Sequence, residues 1–162
     1  MNFVLLIFNI QSNTNIGQLI RTANAFGVLE ICVIGRKKFS TFGNQRTTST
    51  TKFRHFFDIK DAITHYRQKD FEVVAVEITT DAESINAKTF DKNALFILGN
   101  EGAGIQPSIL EQCDSCVFIP QFGAGASINV NVASGIIFNA FTQQRQDYNT
   151  IEGFKFRKGA TE

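Results

Sequence analysis

The chain has no tryptophan, one methionine, two prolines, two tyrosines and only three cysteines in 162 residues. Three cysteines at this length do not make a disulfide framework, which predicts a reducing compartment. No apolar run reaches the ~18 residues that a membrane span needs. The apolar opening extends only from Phe3 to Phe8, with no basic cluster before it, so it reads as a first strand rather than a signal peptide. The absence of a leader predicts a cytoplasmic protein without a membrane partner. There is no internal repeat and no low-complexity block. A hydrophobic fraction of 43% and a charged fraction of 19% exclude a disordered chain. A P-loop is also absent. The first strand leads into Asn-Ile-Gln-Ser-Asn instead of a glycine-rich dinucleotide turn, and Gly123-Ala-Gly125 lacks the third glycine.

Acidic residues are missing from one long window. Between Glu30 and Asp58 there is none, while Arg36, Lys37, Lys38, Arg46, Lys52 and Arg54 lie there, followed by His55. Lys155, Arg157 and Lys158 form a second basic cluster near the C-terminus. A localised positive field on a chain of net charge +1 predicts a localised anionic partner, and phosphate backbone is the commonest. The six basic residues of the window are therefore candidate nucleic-acid contacts, and Phe39, Phe42 and Phe53 among them are candidate base-stacking residues. The alternative is a solvated loop.

What is present in quantity is a succession of short β-rich runs and helical runs, the pattern of an α/β fold with a mostly parallel sheet flanked by helices. Strands are expected at 3–9, 29–34, 72–78, 95–98 and 117–119. Helices are expected from an Asn13 or Asn15 cap to about Phe26, at 59–68, from Pro107 to Gln112, and over 130–144. The last helix is expected to bury Ala133, Ile136, Ile137, Ala140 and Phe141. Residues 36–57 read as one long basic loop. Three Gly- and Asn-rich segments, 13–17, 99–104 and 120–129, follow strands and precede helices, where open α/β sheets bind ligands. Cys113 and Cys116 have the spacing of a metal or redox pair. With no second pair, they read as half-buried thiols at a helix-to-strand junction, and no metal is expected. His55 and His65 have no nucleophile at recognisable spacing.

Three segments in order carry more information than any one of them. They are Asn15-Ile-Gly17-Gln-Leu-Ile-Arg21-Thr22-Ala-Asn-Ala-Phe-Gly27, Leu95-Phe-Ile-Leu98-Gly99-Asn100-Glu101-Gly102-Ala-Gly104-Ile105, and Ile119-Pro120 followed by a glycine-bearing loop and Ser127-Ile128-Asn129-Val130-Asn131-Val132-Ala133. Together they resemble the three motifs of the SpoU/TrmH branch of the SPOUT RNA methyltransferases.

The resemblance implies one SPOUT domain over 1–162 with a C-terminal trefoil knot at about 94–145, a homodimer, and S-adenosyl-L-methionine as cofactor. The implied reaction is methyl transfer to a ribose 2′-hydroxyl of RNA, with tRNA favoured. An rRNA acceptor, or an idle RNA-binding or ribosome-assembly module of the same fold, are the alternatives. The cofactor would lie against Leu98, Gly99, Asn100, Ile119, Gln121, Ser127 and Ile128, with Glu77, Ile78 and Thr79 as the remaining wall. Arg21 matches the motif-one arginine, reaching across from the partner subunit. Its guanidinium is a poor base at neutral pH, which favours phosphate clamping and alkoxide stabilisation. Asn15 would fix that arginine, and Glu101 would orient Arg21 or Asn129. Ser127 would contact phosphate or cofactor, and Asn129 would lie near the methyl acceptor. The third motif departs from the common Ser-Leu-Asn-Val-Ser at Ile128 and Asn131. In size the chain is comparable to the knot-only, TrmL-like group, although it lacks that group's Pro-Pro before the motif-one asparagine. RNA contact would then fall to the basic window and the basic tail.

Overall fold

The computed structural model describes residues 1–8, 10, 12–35, 51–100, 102–125 and 127–145. Arg36, Lys37, Lys38, Arg46, Phe39, Phe42, Glu101 and the Lys155–Lys158 tail lie outside them. The elements in chain order are β1 (Phe3–Ile7), α1 (Asn13–Ala25), β2 (Glu30–Ile34), β3 (Phe53–Phe56), α2 (Ile59–Arg67), β4 (Phe71–Val76), β5 (Glu83–Ser84), β6 (Asn93–Leu98), α3 (Pro107–Leu110), β7 (Ser115–Phe118) and α4 (Val130–Gln143). The seven strands form one sheet in the order β3-β2-β1-β6-β4-β7-β5, and every strand pair in it is parallel.

All five residues of β1 are buried, as expected of a strand covered by helices on both faces. Successive side chains alternate between two cores. Phe3, Leu5 and Ile7 join the face covered by α1 and α4, whereas Val4 and Leu6 join the face covered by α2 and α3. Much of the chain's phenylalanine is concentrated on the first face. Phe3 and Phe138 stack with ring centroids 4.6 Å apart, and Phe141 packs edge-on to Phe3, Phe90 and Phe96 at 5.8, 5.0 and 5.5 Å.

Several boundaries differ from the sequence reading. Ser12, not Asn13 or Asn15, caps α1: its hydroxyl accepts the Asn15 N–H at 3.3 Å, which leaves the Asn15 side chain for other contacts. The basic window contains the edge strand β3, and Phe53 there is partly buried and packs against the core. α4 buries Val130, Ser134, Ile137, Phe138 and Phe141, while Ile136, expected inside, is 38% exposed. Gly27, at φ +71°, follows α1 in the left-handed conformation that suits glycine beyond a helix end.

Candidate functional site

The carboxyl ends of β4 and β6 and the first turn of α4 enclose a cavity of about 550 Å³. It is bordered by Glu77, Leu98, Gly99, Asn100, Ser127 and Asn129 among others, and its size lies within the range of small-molecule sites. A smaller recess of about 100 Å³ adjoins it through Glu77, Ser127 and Ile128, and adds Ile78, Ile119 and Gln121. Segments distant in sequence are thus brought together because β6 lies next to β4 and the first turn of α4 lines the same cavity. Ligands of open parallel sheets bind at such strand ends.

The loop after β6 is tightly built. Asn100 and Gly104 exchange two backbone hydrogen bonds of 3.1 and 3.0 Å, and the Asn100 Oδ1 accepts the Gly102 and Ala103 N–H groups at 2.9 and 2.8 Å. Glu77 ties this loop to β4: its Oε2 accepts the Ile105 N–H at 3.0 Å and its Oε1 accepts the Ile78 N–H at 2.9 Å. On the other wall, Asn129 caps α4 by accepting the Asn131 N–H at 2.8 Å. The Asn131 amide in turn donates to Asn15 Oδ1 and Gln18 Oε1, both at 3.0 Å. This amide seam joins the motif-one helix to the cavity wall.

Nine of the ten expected cofactor residues therefore line the cavity or its recess. Thr79 lines neither, and its hydroxyl hydrogen bonds the Cys116 thiol. Of the expected catalytic residues, Ser127 and Asn129 border the cavity and Asn15 reaches it through the amide seam. Glu101 lies outside the described residues. Arg21 is exposed on α1 and does not line the cavity; among the described residues nothing hydrogen bonds or pairs with it. Sequence reasoning omitted Val76, Gly102, Gly104, Val130 and Ala133 from the lining. Gly102 and Gly104 carried a signal, since both stand in the second motif. The apolar three carried none beyond general core character.

Elsewhere the structure changes the reading of basic residues. Arg54 forms a two-pronged ion pair with Glu30, with Nε to Oε2 at 2.6 Å and Nη2 to Oε1 at 3.2 Å, and the Tyr66 hydroxyl donates to the same carboxylate. Burial pushes the Glu30 carboxyl up, but the bonds from Arg54 and Tyr66 outweigh it and hold the group below its usual range. The window without acid in sequence is therefore not without acid in space. Lys52 immediately precedes β3, and its carbonyl accepts the Ile31 N–H at 2.8 Å. Cys113 and Cys116 flank the α3-to-β7 junction, both partly buried. Burial, with Cys116 and Asp114 beside it, pushes the Cys113 thiol up to about 12, and burial also raises Cys116. Both are thus held toward the neutral thiol.

A model of the SpoU rRNA Methylase family matches residues 2–139. The chain is 26% identical over 149 residues to the tRNA (guanosine(18)-2′-O)-methyltransferase of Aquifex aeolicus, covering 88% of this chain and 71% of that one. It is 31% identical over 140 residues to the 23S rRNA (guanosine(2553)-2′-O)-methyltransferase of Bacillus subtilis, covering 83% of this chain but only 55% of that one. In three dimensions it resembles the crystal structure of the A. aeolicus TrmH/SpoU tRNA modifying enzyme, with a TM-score of 0.81 at 25% identity over 89% of this chain and 75% of that one. It also shares its fold with an AdoMet-bound rRNA methyltransferase from Sinorhizobium meliloti, at a TM-score of 0.77, 22% identity, and coverage of 88% and 56%.

Proposed function

The chain belongs to the SpoU rRNA methylase family, and from that premise we propose that it transfers a methyl group from S-adenosylmethionine to a ribose 2′-hydroxyl of RNA. The observation that carries this reading is the cavity in which second-motif residues Leu98–Asn100 meet third-motif residues Ser127–Asn129. The cavity suits that cofactor on its own chemistry. Val76, Leu98, Ile128 and Ala133 offer apolar surface for a purine, and loop glycines leave backbone groups within reach of a ligand. Glu77 adds one carboxylate. When bound, the cofactor supplies an electrophilic methyl on a sulfonium.

The chain's own residues supply alignment and charge. The loop between Gly99 and Gly104, braced by Asn100 and Glu77, fixes one wall, and the Asn129 cap of α4 fixes the other. Holding the acceptor oxygen in line with the donor accounts for much of the acceleration such a site gives. Arg21 contributes a fork of donors without a partner among the described residues, suited to an RNA phosphate and to the alkoxide that develops at the 2′-oxygen. Because Arg21 does not line its own chain's cavity, it acts on the site of a second copy. The exposed Val132 (54%) and Ile136 (38%) on α4 support such a homodimer. The proposal includes a single domain with a knotted segment at 94–145, a tRNA acceptor and a cytoplasmic setting.

The test is incubation of purified protein with methyl-labelled S-adenosylmethionine and unmodified tRNA or rRNA, followed by nucleoside analysis. Label in a 2′-O-methylnucleoside from tRNA is expected. Label only from rRNA would move the substrate, label on a base would overturn the acceptor, and RNA binding without label would favour an idle module.

A further inference from the structure

Glu77 is the only charged side chain among the described residues that line the cavity and its recess. Its carboxylate is held in a prepared place. Two backbone N–H groups, from Ile78 and Ile105, fix its oxygens at 2.9 and 3.0 Å. Two glycines clear the room it occupies: a Cβ on Gly99 would stand 2.9 Å from Oε2, and one on Gly104 would stand 2.5 Å from it. These bonds orient the charge without neutralising it, and a carboxylate retains about two further acceptor positions after accepting two N–H groups.

S-Adenosylmethionine and S-adenosylhomocysteine, its demethylated product, share their adenosine and amino-acid ends. They differ by one methyl and one positive charge, sulfonium against neutral thioether. The apolar wall and backbone groups act on both alike, whereas a fixed negative charge acts on the difference. We propose that Glu77 is a specificity-determining residue that makes the cavity prefer the cationic methyl donor over the neutral product, so that spent cofactor is released. The inference rests on the cofactor reading above.

Calorimetric titration of the full-length protein tests it with three ligands: S-adenosylmethionine, S-adenosylhomocysteine, and an analogue bearing a protonated amine in place of the sulfonium methyl. The wild-type protein is expected to bind both cations roughly tenfold more tightly than the thioether, a ratio that shrinks as salt is raised. Glu77→Gln is expected to bring the ratio to about one, with a loss common to all three ligands because the amide NH2 cannot accept one of the two backbone N–H groups that the carboxylate holds. Gly104→Ala, whose Cβ would stand 2.5 Å from the Glu77 oxygen and so displace the charge together with the loop, should weaken all three ligands and also lower the cation-to-thioether ratio. Equal binding of cation and thioether by the wild type, a ratio insensitive to salt, or a loss in Glu77→Gln that leaves the ratio unchanged would overturn the inference. The wild-type arms decide even where the variant does not fold. Failure of all three ligands to bind wild type would remove the cofactor reading and this inference together, whereas equal binding removes this inference alone.

Discussion

The two faces of the sheet solve different problems with the same strands. The α1/α4 face carries the phenylalanine cluster and, at its carboxyl end, the amide seam and the cavity wall. The α2/α3 face is mainly aliphatic, and its polar cluster, Glu30–Arg54–Tyr66, lies at the amino end of β2, across the sheet from the cavity. Packing and site are therefore coupled on one face and separable on the other. Lesions under α4 should reach both stability and cofactor affinity, and lesions under α2 should reach stability alone.

The largest expected effect is on the coupled face. Phe138→Ala should cost about 3–5 kcal/mol of unfolding free energy, because the ring is fully buried between Phe3 and Phe96. Cofactor affinity should weaken as well, since α4 carries the Asn129 cap; normal affinity in a destabilised variant would break the comparison. Next is Lys88→Met. Lys88 pairs at 2.6 Å with Glu72, both side chains nearly buried, so truncation leaves a carboxylate without its cation and should cost about 3 kcal/mol in denaturant unfolding.

On the separable face, Glu30→Gln should cost about 1–2 kcal/mol at neutral pH and leave cofactor affinity unchanged. The Glu30 carboxyl is held below its ordinary range in the fold. Its stabilisation is accordingly full above the unfolded value of about 4.3 and disappears as pH falls through the lower folded value. Glu30→Gln should flatten that part of the acid stability profile, and an unchanged slope would exclude the pair as its source. Ser12→Ala should cost about 1 kcal/mol as a lost helix cap. The smallest effect is the Asn15–Asn131 coupling: a double-mutant cycle should give about 0.5–1 kcal/mol, read most clearly in cofactor affinity.

The α/β class, the long helices and the buried central strands were legible because each has strong periodicity or continuous burial. The edge strand β3 was hidden among basic residues, where Phe53-Arg-His-Phe56 shows no clean alternation. The two-residue β5 is too short to carry a pattern. The inward face of α4 was misread at Ile136 because the helix is apolar nearly all round, and hydropathy does not then say which side a neighbour covers. At the site, motif residues pointed to most of the lining. The closing of the walls by Val76, Val130 and Ala133 followed only from strand adjacency.

By itself the sequence determined the parallel α/β class, the three motif segments and the family they belong to, because local pattern and motif chemistry are written in short stretches. Only the tertiary structure decided that β6 sits between β1 and β4, that Glu77 reaches over Gly99 and Gly104, and that Arg54 is paired with Glu30. Those facts depend on which distant segments become neighbours, and sequence spacing does not encode that adjacency.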